Sequence, residues 1–350
     1  MSNSHNHAVT AKARALYGKR ITPEQYKELL HCRSVPDIAA YLKSSTAYAE
    51  ALHNISESTI HRGQLENMLR RWNFETYTKL YHYVNSSNDN LFHLIIVEFE
   101  IREILRMILL LKAGNPQEYI SSLPGFLLSR CKVNLLELAK IRSFDELLKL
   151  LEHTEYETIL APFRPTDQEP VIDYISCEHS LFEAYFRHTL HMINKATKGT
   201  ERQELRRLTG MRIDHLNLRS LFRGKVLFQS DRKQVETRIF PFHRLLSTEV
   251  ISELLDAGSK EQFNQIMRRI FESSGAINRM PENKNSFLES YTNRLHYQAA
   301  KNYLHLSQNV SVVFYAFFVL SQIEVANLIF IIEGIRYQLP TEEIQKLIIL

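Results

Sequence analysis

Glycine and proline are scarce. The 350-residue chain has ten of each, where average usage would give about 25 glycines and about 17 prolines. Strand-rich folds consume both residues at turns, so the scarcity argues against a sandwich or barrel. It argues equally against a phosphate-cradling loop, which needs closely spaced glycines. No GxSxG elbow, Walker A loop or dinucleotide fingerprint occurs. Cysteine is scarce as well. Cys32, Cys131 and Cys177 form no CxxC pair, which speaks against a disulfide framework or a structural zinc site and fits a reduced cytosol. HExxH is missing, and the pair His188 and His191 has only Cys177 and His179 nearby. We read these as helix-surface histidines and expect no metal, no cofactor and no catalytic residue.

Charge of one sign is also lacking. Lys and Arg total 43 against 39 Asp and Glu, a formal net charge of +4, less than a nucleic-acid binder concentrates on one face. The cluster Arg202, Arg206 and Arg207 is interleaved with Glu201 and Glu204, and Arg268 and Arg269 stand near Glu272, the pattern of solvated helix faces. We expect no nucleic-acid partner and no direct small-molecule substrate. No membrane-length apolar run occurs. Residues 310–320, VSVVFYAFFVL, stop at Ser321, Gln322 and Glu324, short of the ~20 apolar residues that span a bilayer. The expectation is a buried helix, with Phe314, Tyr315, Phe317 and Phe318 in the core. The polar first ten residues lack the apolar core of a signal peptide.

What the chain does have is helical periodicity. Thr22 followed by Pro23 marks a helix start, with Tyr26, Leu29 and Leu30 on one face. Leu65, Met68, Leu69 and Trp72 repeat the spacing. Residues 94–111 form a long apolar stretch that Gly114-Asn115-Pro116 stops. Thr341 is placed to cap a closing helix over residues 342–350. Residues 161–170 and 273–285 read as linkers.

Three kinds of segment recur in the same order. The first is helix–loop–helix. Residues 37–52 match 145–160 at a spacing of 108, pairing Asp37 with Asp145, Thr46 with Thr154, Tyr48 with Tyr156 and Leu52 with Leu160. A third copy begins at Leu245 and pairs Glu24 with Glu249, and Glu28, Leu29 and Leu30 with Glu253, Leu254 and Leu255. The second kind opens on Leu65-Glu66, Phe182-Glu183 and Leu288-Glu289, the acid favouring the helix dipole. The third is the sharpest. Asp214, Asn217, Leu218 and Gly224 match Glu324, Asn327, Leu328 and Gly334 without a gap at a spacing of 110. The first copy is looser, with Glu100 as the acid and Glu103 where Asn stands in the others. The acid and Asn are three apart and share a helix face. They either line a polar surface shared by the repeats or brace loops within each repeat. In both cases the job is architectural, since an active site would break the repeat.

The segments ARALYGKRITPEQYKELLHCRSVPDIAAYLKSSTAYAEAL near the start and EVANLIFIIEGIRYQLPTEEIQKLI near the end carry a family resemblance. They resemble the family of the central-stalk C subunit of V-type (A-type) ATPases, whose eukaryotic counterpart is the d subunit of the vacuolar ATPase. The likeness covers the chain from Ala13 onward. It implies an all-α fold of three homologous helical bundles in a pseudo-threefold funnel, which we place at residues 8–115, 116–234 and 235–350. It implies a non-catalytic rotor component, cytoplasmic and peripheral to the membrane. Such a component is a socket that couples the shaft, made by the D and F subunits, to the membrane rotor ring during proton or sodium transport. Glu100, Asp214, Asn217, Glu324 and Asn327 are the residues expected at the shaft socket. The chain departs from the family pattern at Glu103 and is longer around 161–170 and 201–208. The competing expectations are a helical scaffold or adaptor that binds a partner helix in a groove, and a helical enzyme without a sequence signature.

Overall fold

The computed structural model describes residues 2–81, 89–242, 244, 246–273 and 288–350. No strand occurs among them; the fold is all-α. The chain begins with α1 (Ser2–Tyr17), α2 (Pro23–Leu30), α3 (Val35–Ser45), the single turn α4 (Ala49–Leu52) and the long α5 (Arg62–Tyr81). Next come α6 (Asp89–Lys112), the short α7 (Leu135–Leu138), α8 (Phe144–Leu150) and α9 (Glu155–Leu160), and the long α10 (Tyr174–Ala196) and α11 (Gly199–Phe222). A π-helical turn, Arg223–Leu227, extends α11. The chain closes with α12 (Arg232–Glu236), α13 (Thr248–Asp256), α14 (Lys260–Ser273), α15 (Leu288–Leu306), α16 (Val310–Arg336) and α17 (Thr341–Leu347). A run of short helices followed by two long ones thus occurs three times.

Local chemistry sets the helix starts. Thr22 and Gln25 form a reciprocal capping box on α2 with Pro23 in the first turn. Ser34, Ser143 and Ser247 each accept a hydrogen bond from the third backbone N–H of α3, α8 and α13. Asp37 accepts from the Arg33 N–H, and Glu146 accepts from that of Arg142. The structural counterpart of Asp37 is therefore Glu146, one residue past the Asp145 that the 108 spacing suggests. Asp145 instead pairs with Arg164 at 2.6 Å.

Other sequence expectations shift for physical reasons. Pro340, not Thr341, occupies the cap position of α17, and no side chain caps it. The helix stops at Leu347 because Ile348 and Ile349 turn inward and are buried. Residues 201–208, where the chain is longer than the family pattern, lie within α11, and the polar start of the chain is helical from Ser2. In residues 161–170 a 3-10 turn, Ala161–Phe163, precedes irregular backbone. The expected linker 273–285 falls outside the described residues from 274 on, as does Leu245.

The chain forms two compact units: Arg70–Thr197, and Met1–Leu69 together with Lys198–Leu350. Their limits cut across the expected boundaries at 115 and 235. The long helix that closes each short–long set gathers the short helices that follow it in the repeat order. In the smaller unit α6 packs antiparallel to α10, with Glu98 against Tyr185 and Arg102 against Phe182, and receives α7. In the larger unit, Leu218, Leu221 and Phe222 at the end of α11 form one apolar cluster with Val235, Leu254, Leu255, Phe263 and Met267 of the short helices after it. α16 likewise carries α1, α2 and α3.

α16 is long and apolar enough to cross a membrane by length and composition. Its Val312, Phe314, Phe317, Leu328 and Ile331 are buried within the unit, so packing against α1, α11 and α15 accounts for its apolarity. α11 runs antiparallel to α15, since His215 meets Thr292 while Glu204 meets Ser307. α15 and α16 are joined by three residues and pack side by side. Glu201 accepts the Ser311 hydroxyl proton, so α11 and α16 start together and run parallel.

Candidate functional site

The five expected residues stand on three corresponding helices, α6, α11 and α16. Each is turned into the packing of its own unit. Glu100 is 1% exposed, Asp214 4%, Asn217 0% and Asn327 2%; Glu324 is half-buried.

Their partners are backbone groups and tyrosines. Glu100 accepts the Val133 N–H at 2.6 Å on one oxygen and the Tyr156 hydroxyl at 2.6 Å on the other. Glu324 accepts the Ile21 N–H at 3.1 Å and the Tyr48 hydroxyl at 2.8 Å. Asp214 accepts the Arg244 N–H at 3.0 Å. In every case the N–H donor lies just ahead of a short helix of the set that follows in the repeat order, α7, α13 or α2, with the last long helix serving the first set. A buried N–H without an acceptor costs about 1–3 kcal/mol, and the acids remove that cost where each run leaves its loop. These contacts are those of braces rather than a row of open polar groups. The tyrosines that complete two of them, Tyr48 and Tyr156, are the pair aligned at a spacing of 108.

The asparagines act one helical turn later. Asn217 accepts the Phe240 N–H at 2.8 Å and donates to the Phe240 carbonyl at 3.1 Å. Asn327 accepts the Ile349 N–H at 2.9 Å and donates to the Ile349 carbonyl at 2.7 Å. An amide side chain carries both a donor and an acceptor, so one residue satisfies both backbone groups of a buried segment. In α6 the corresponding Glu103 cannot donate. It accepts the Tyr119 hydroxyl at 2.9 Å instead, and burial raises its carboxyl above the usual range against the opposing pull of Arg106. Gly224 and Gly334 complete the motif. A Cβ on either would stand 2.5 Å from Val235 of α12 or Ile344 of α17, so the bare backbone lets the next short helix seat.

Burial also marks the Glu324 brace electrostatically. Burial pushes the Glu324 carboxyl up to about 7, although the Tyr48 and Ile21 hydrogen bonds and the Arg20 charge pull it down. Burial, then the neighbouring carboxylate, drives the Tyr48 and Tyr156 phenols far above the ordinary tyrosine value. Glu324 and Asn327 also line a cavity of ≈ 80 Å³ with Tyr17, Arg20, Tyr26 and Lys301. Among the described residues no group of three or more His, Cys, Asp or Glu is placed to hold a metal. His188 and His191 are exposed on α10.

The sequence model of the ATP synthase (C/AC39) subunit family matches residues 9–347. The chain belongs to that family. Curated relatives agree. The C subunit of the A-type ATP synthase of Thermococcus kodakarensis is 26% identical over 273 residues, 75% of this chain and 70% of the relative. Proteins of the same name from Methanosarcina mazei and Thermococcus gammatolerans are 25% and 23% identical over 64% and 61% of this chain. The chain covers 59% and 55% of those two. Membership makes the chain a structural component rather than the catalytic one. Within the repeated motif, the acid–Asn–Gly helix braces the fold.

Proposed function

We propose that the chain is the central-stalk rotor component of a V/A-type rotary ATPase. In this reading it is a non-catalytic socket that couples the shaft, made by the D and F subunits, to the membrane rotor ring during proton or sodium transport. It associates peripherally with the membrane through the ring. The observation that carries the reading is the family match running nearly from end to end, residues 9–347.

The braces support it physically. Torque transmission requires a body that does not yield. Long helices tied to successive short-helix runs by buried carboxylate, phenol and amide contacts resist relative sliding. Glu100, Asp214, Asn217, Glu324 and Asn327 then hold the socket wall in shape, and the partner meets the surface they support. The deciding experiment is affinity purification of the tagged chain from solubilised membranes. Shaft and ring proteins are expected to co-purify with it. Recovery of the intact chain without any other rotary ATPase component would contradict the reading.

A further inference from the structure

The cavity beside Glu324 is walled by hydrogen-bond donors. It lies inside the larger unit and has a volume of ≈ 80 Å³, enough for about five waters or for one oxyanion of sulfate size. Ile21, Pro23, Leu320 and Ile323 form its apolar side. Its acceptors are engaged. Glu324 takes the Ile21 N–H on one oxygen and the Tyr48 hydroxyl on the other, and the Asn327 carbonyl takes the Ile349 N–H.

Its donors are not. Lys301, half-buried on α15, makes no hydrogen bond or ion pair among the described residues. Arg20 lies over the Tyr17 ring at 4.1 Å and gives one N–H to the Tyr17 carbonyl at 3.4 Å, and a guanidinium has further N–H groups to give. Tyr26 is 4% exposed. Its oxygen accepts from the Asn327 amide at 3.3 Å, and its own proton has no acceptor among the described residues. The Tyr17 and Tyr297 hydroxyls share one hydrogen bond at 3.4 Å, which leaves a proton over. Burial holds the Tyr17 and Tyr26 phenols above the ordinary tyrosine value, so both stay able to donate. Charge is unbalanced in the same sense. Arg20 and Lys301 face one carboxylate, and no other acidic side chain among the described residues lines the cavity. Close by, burial and then the charges of Arg14, Lys301 and Arg20 hold the His305 imidazole below its usual value.

We propose that this cavity binds a small free oxyanion of the sulfate or phosphate class, held by Lys301, Arg20 and the Tyr26 hydroxyl and opposed by ionised Glu324. A water that accepts from these donors brings two more protons to place. An oxyanion brings acceptors only, and it offsets the excess positive charge through charge-assisted hydrogen bonds. Glu324 makes the site proton-coupled. Ionised, it repels the anion at close range; protonated, it does not. Burial pushes its carboxyl up to about 7, so the cavity takes up an anion as it takes up a proton. The groups that face Glu324 are Tyr17 and Arg20 ahead of α2, Tyr26 on α2, Tyr48 ahead of α4, and Tyr297 and Lys301 on α15. None is an acid or an imidazole, so Glu324 sets the response near neutral pH. The bound anion ties α15 to the connection between α1 and α2, at the brace with the longer hydrogen bonds.

The test is calorimetric titration of the full chain with sulfate, whose charge does not change near neutral pH, at an ionic strength held constant with chloride. One saturable site is expected at about pH 6, and its affinity should fall about tenfold by about pH 8. Lys301→Met should weaken it at least about tenfold and Tyr26→Phe about 3- to 10-fold. Lys301→Met should leave thermal unfolding without sulfate unchanged, since the ammonium holds no partner in the fold. Glu324→Gln should bind at about pH 8 as tightly as the wild type does at about pH 6, with the pH dependence gone. A folded wild type without saturable binding would overturn the proposal. So would binding indifferent to Lys301→Met and Tyr26→Phe, or an affinity that rises with pH.

Discussion

Glu100 and Glu324 do the same job under different conditions. Each ties a long helix to the backbone N–H that opens a run of short helices, and each is completed by a tyrosine hydroxyl. The Glu100 brace is closed: the side chain is 1% exposed and both hydrogen bonds are 2.6 Å. The Glu324 brace is looser. Its bonds are 3.1 and 2.8 Å, it borders a cavity of ≈ 80 Å³, and burial pushes its carboxyl up to about 7. The motif specifies which groups meet, and the surrounding packing decides how tightly. The Glu324 brace joins segments near opposite ends of the chain, so it is where the larger unit should open first.

The two braces should part most visibly when their acids are removed. Glu100→Ala strands the Val133 N–H and the Tyr156 hydroxyl in a closed site and should cost about 4 kcal/mol. Glu324→Ala should cost half that or less, because its hydrogen bonds are longer and its half-buried site borders a cavity that can supply water to the stranded groups. Denaturant unfolding of the two variants checks this, and equal losses would make the braces equivalent. Next in size, Asn327→Ala and Asn217→Ala each leave a buried N–H and carbonyl without partners, at about 2–3 kcal/mol. Asn327→Asp should not restore stability, since a carboxylate cannot donate to the Ile349 carbonyl. Tyr156→Phe removes one charge-assisted hydrogen bond, worth about 1.5–2 kcal/mol at the closed brace. Tyr48→Phe should cost about 1 kcal/mol, and a double-mutant cycle with each acid isolates the pair.

The smallest effect carries a pH signature. A carboxyl raised from 4.5 to about 7 on folding binds more protons in the folded state between those values. Its contribution is therefore complete below pH 4.5 and is lost as pH rises through 7. Glu324→Gln has no such titration. Relative to wild type it should gain about 1 kcal/mol between about pH 4.5 and about pH 8. A shift of this size corresponds to ~3 kcal/mol, and solvent screening at this half-buried carboxyl reduces it. Melting curves across that range check the slope, and a parallel pair of profiles would contradict it.

Much of the fold is legible in the sequence. Thr22-Pro23 announces α2, residues 310–320 behave as core, and the matched spacings of Asp214–Gly224 and Glu324–Gly334 place equivalent residues on equivalent helices. The spacing of Tyr48 and Tyr156 even aligns the two phenols that complete the braces. The role of the acids is not legible, because their decisive partners are backbone N–H groups of Val133, Ile21 and Arg244. A main-chain donor has no side-chain signature. Polar residues at helical spacing look the same whether they face a partner or a buried loop. The shift of one position from Asp145 to Glu146 has a related cause. Cap geometry depends on loop length, which amphipathic periodicity does not record.

The central claim is that buried acids and asparagines hold each run of short helices to a preceding long helix. Native-state hydrogen exchange at the amides of Ile21, Val133, Phe240, Arg244 and Ile349 tests it directly. All five should exchange slowly, Val133 should outlast Ile21, and Glu100→Ala or Asn327→Ala should release only the amide its side chain holds. Exchange of these amides at the rate of exposed loops, or protection indifferent to the variants, would contradict it.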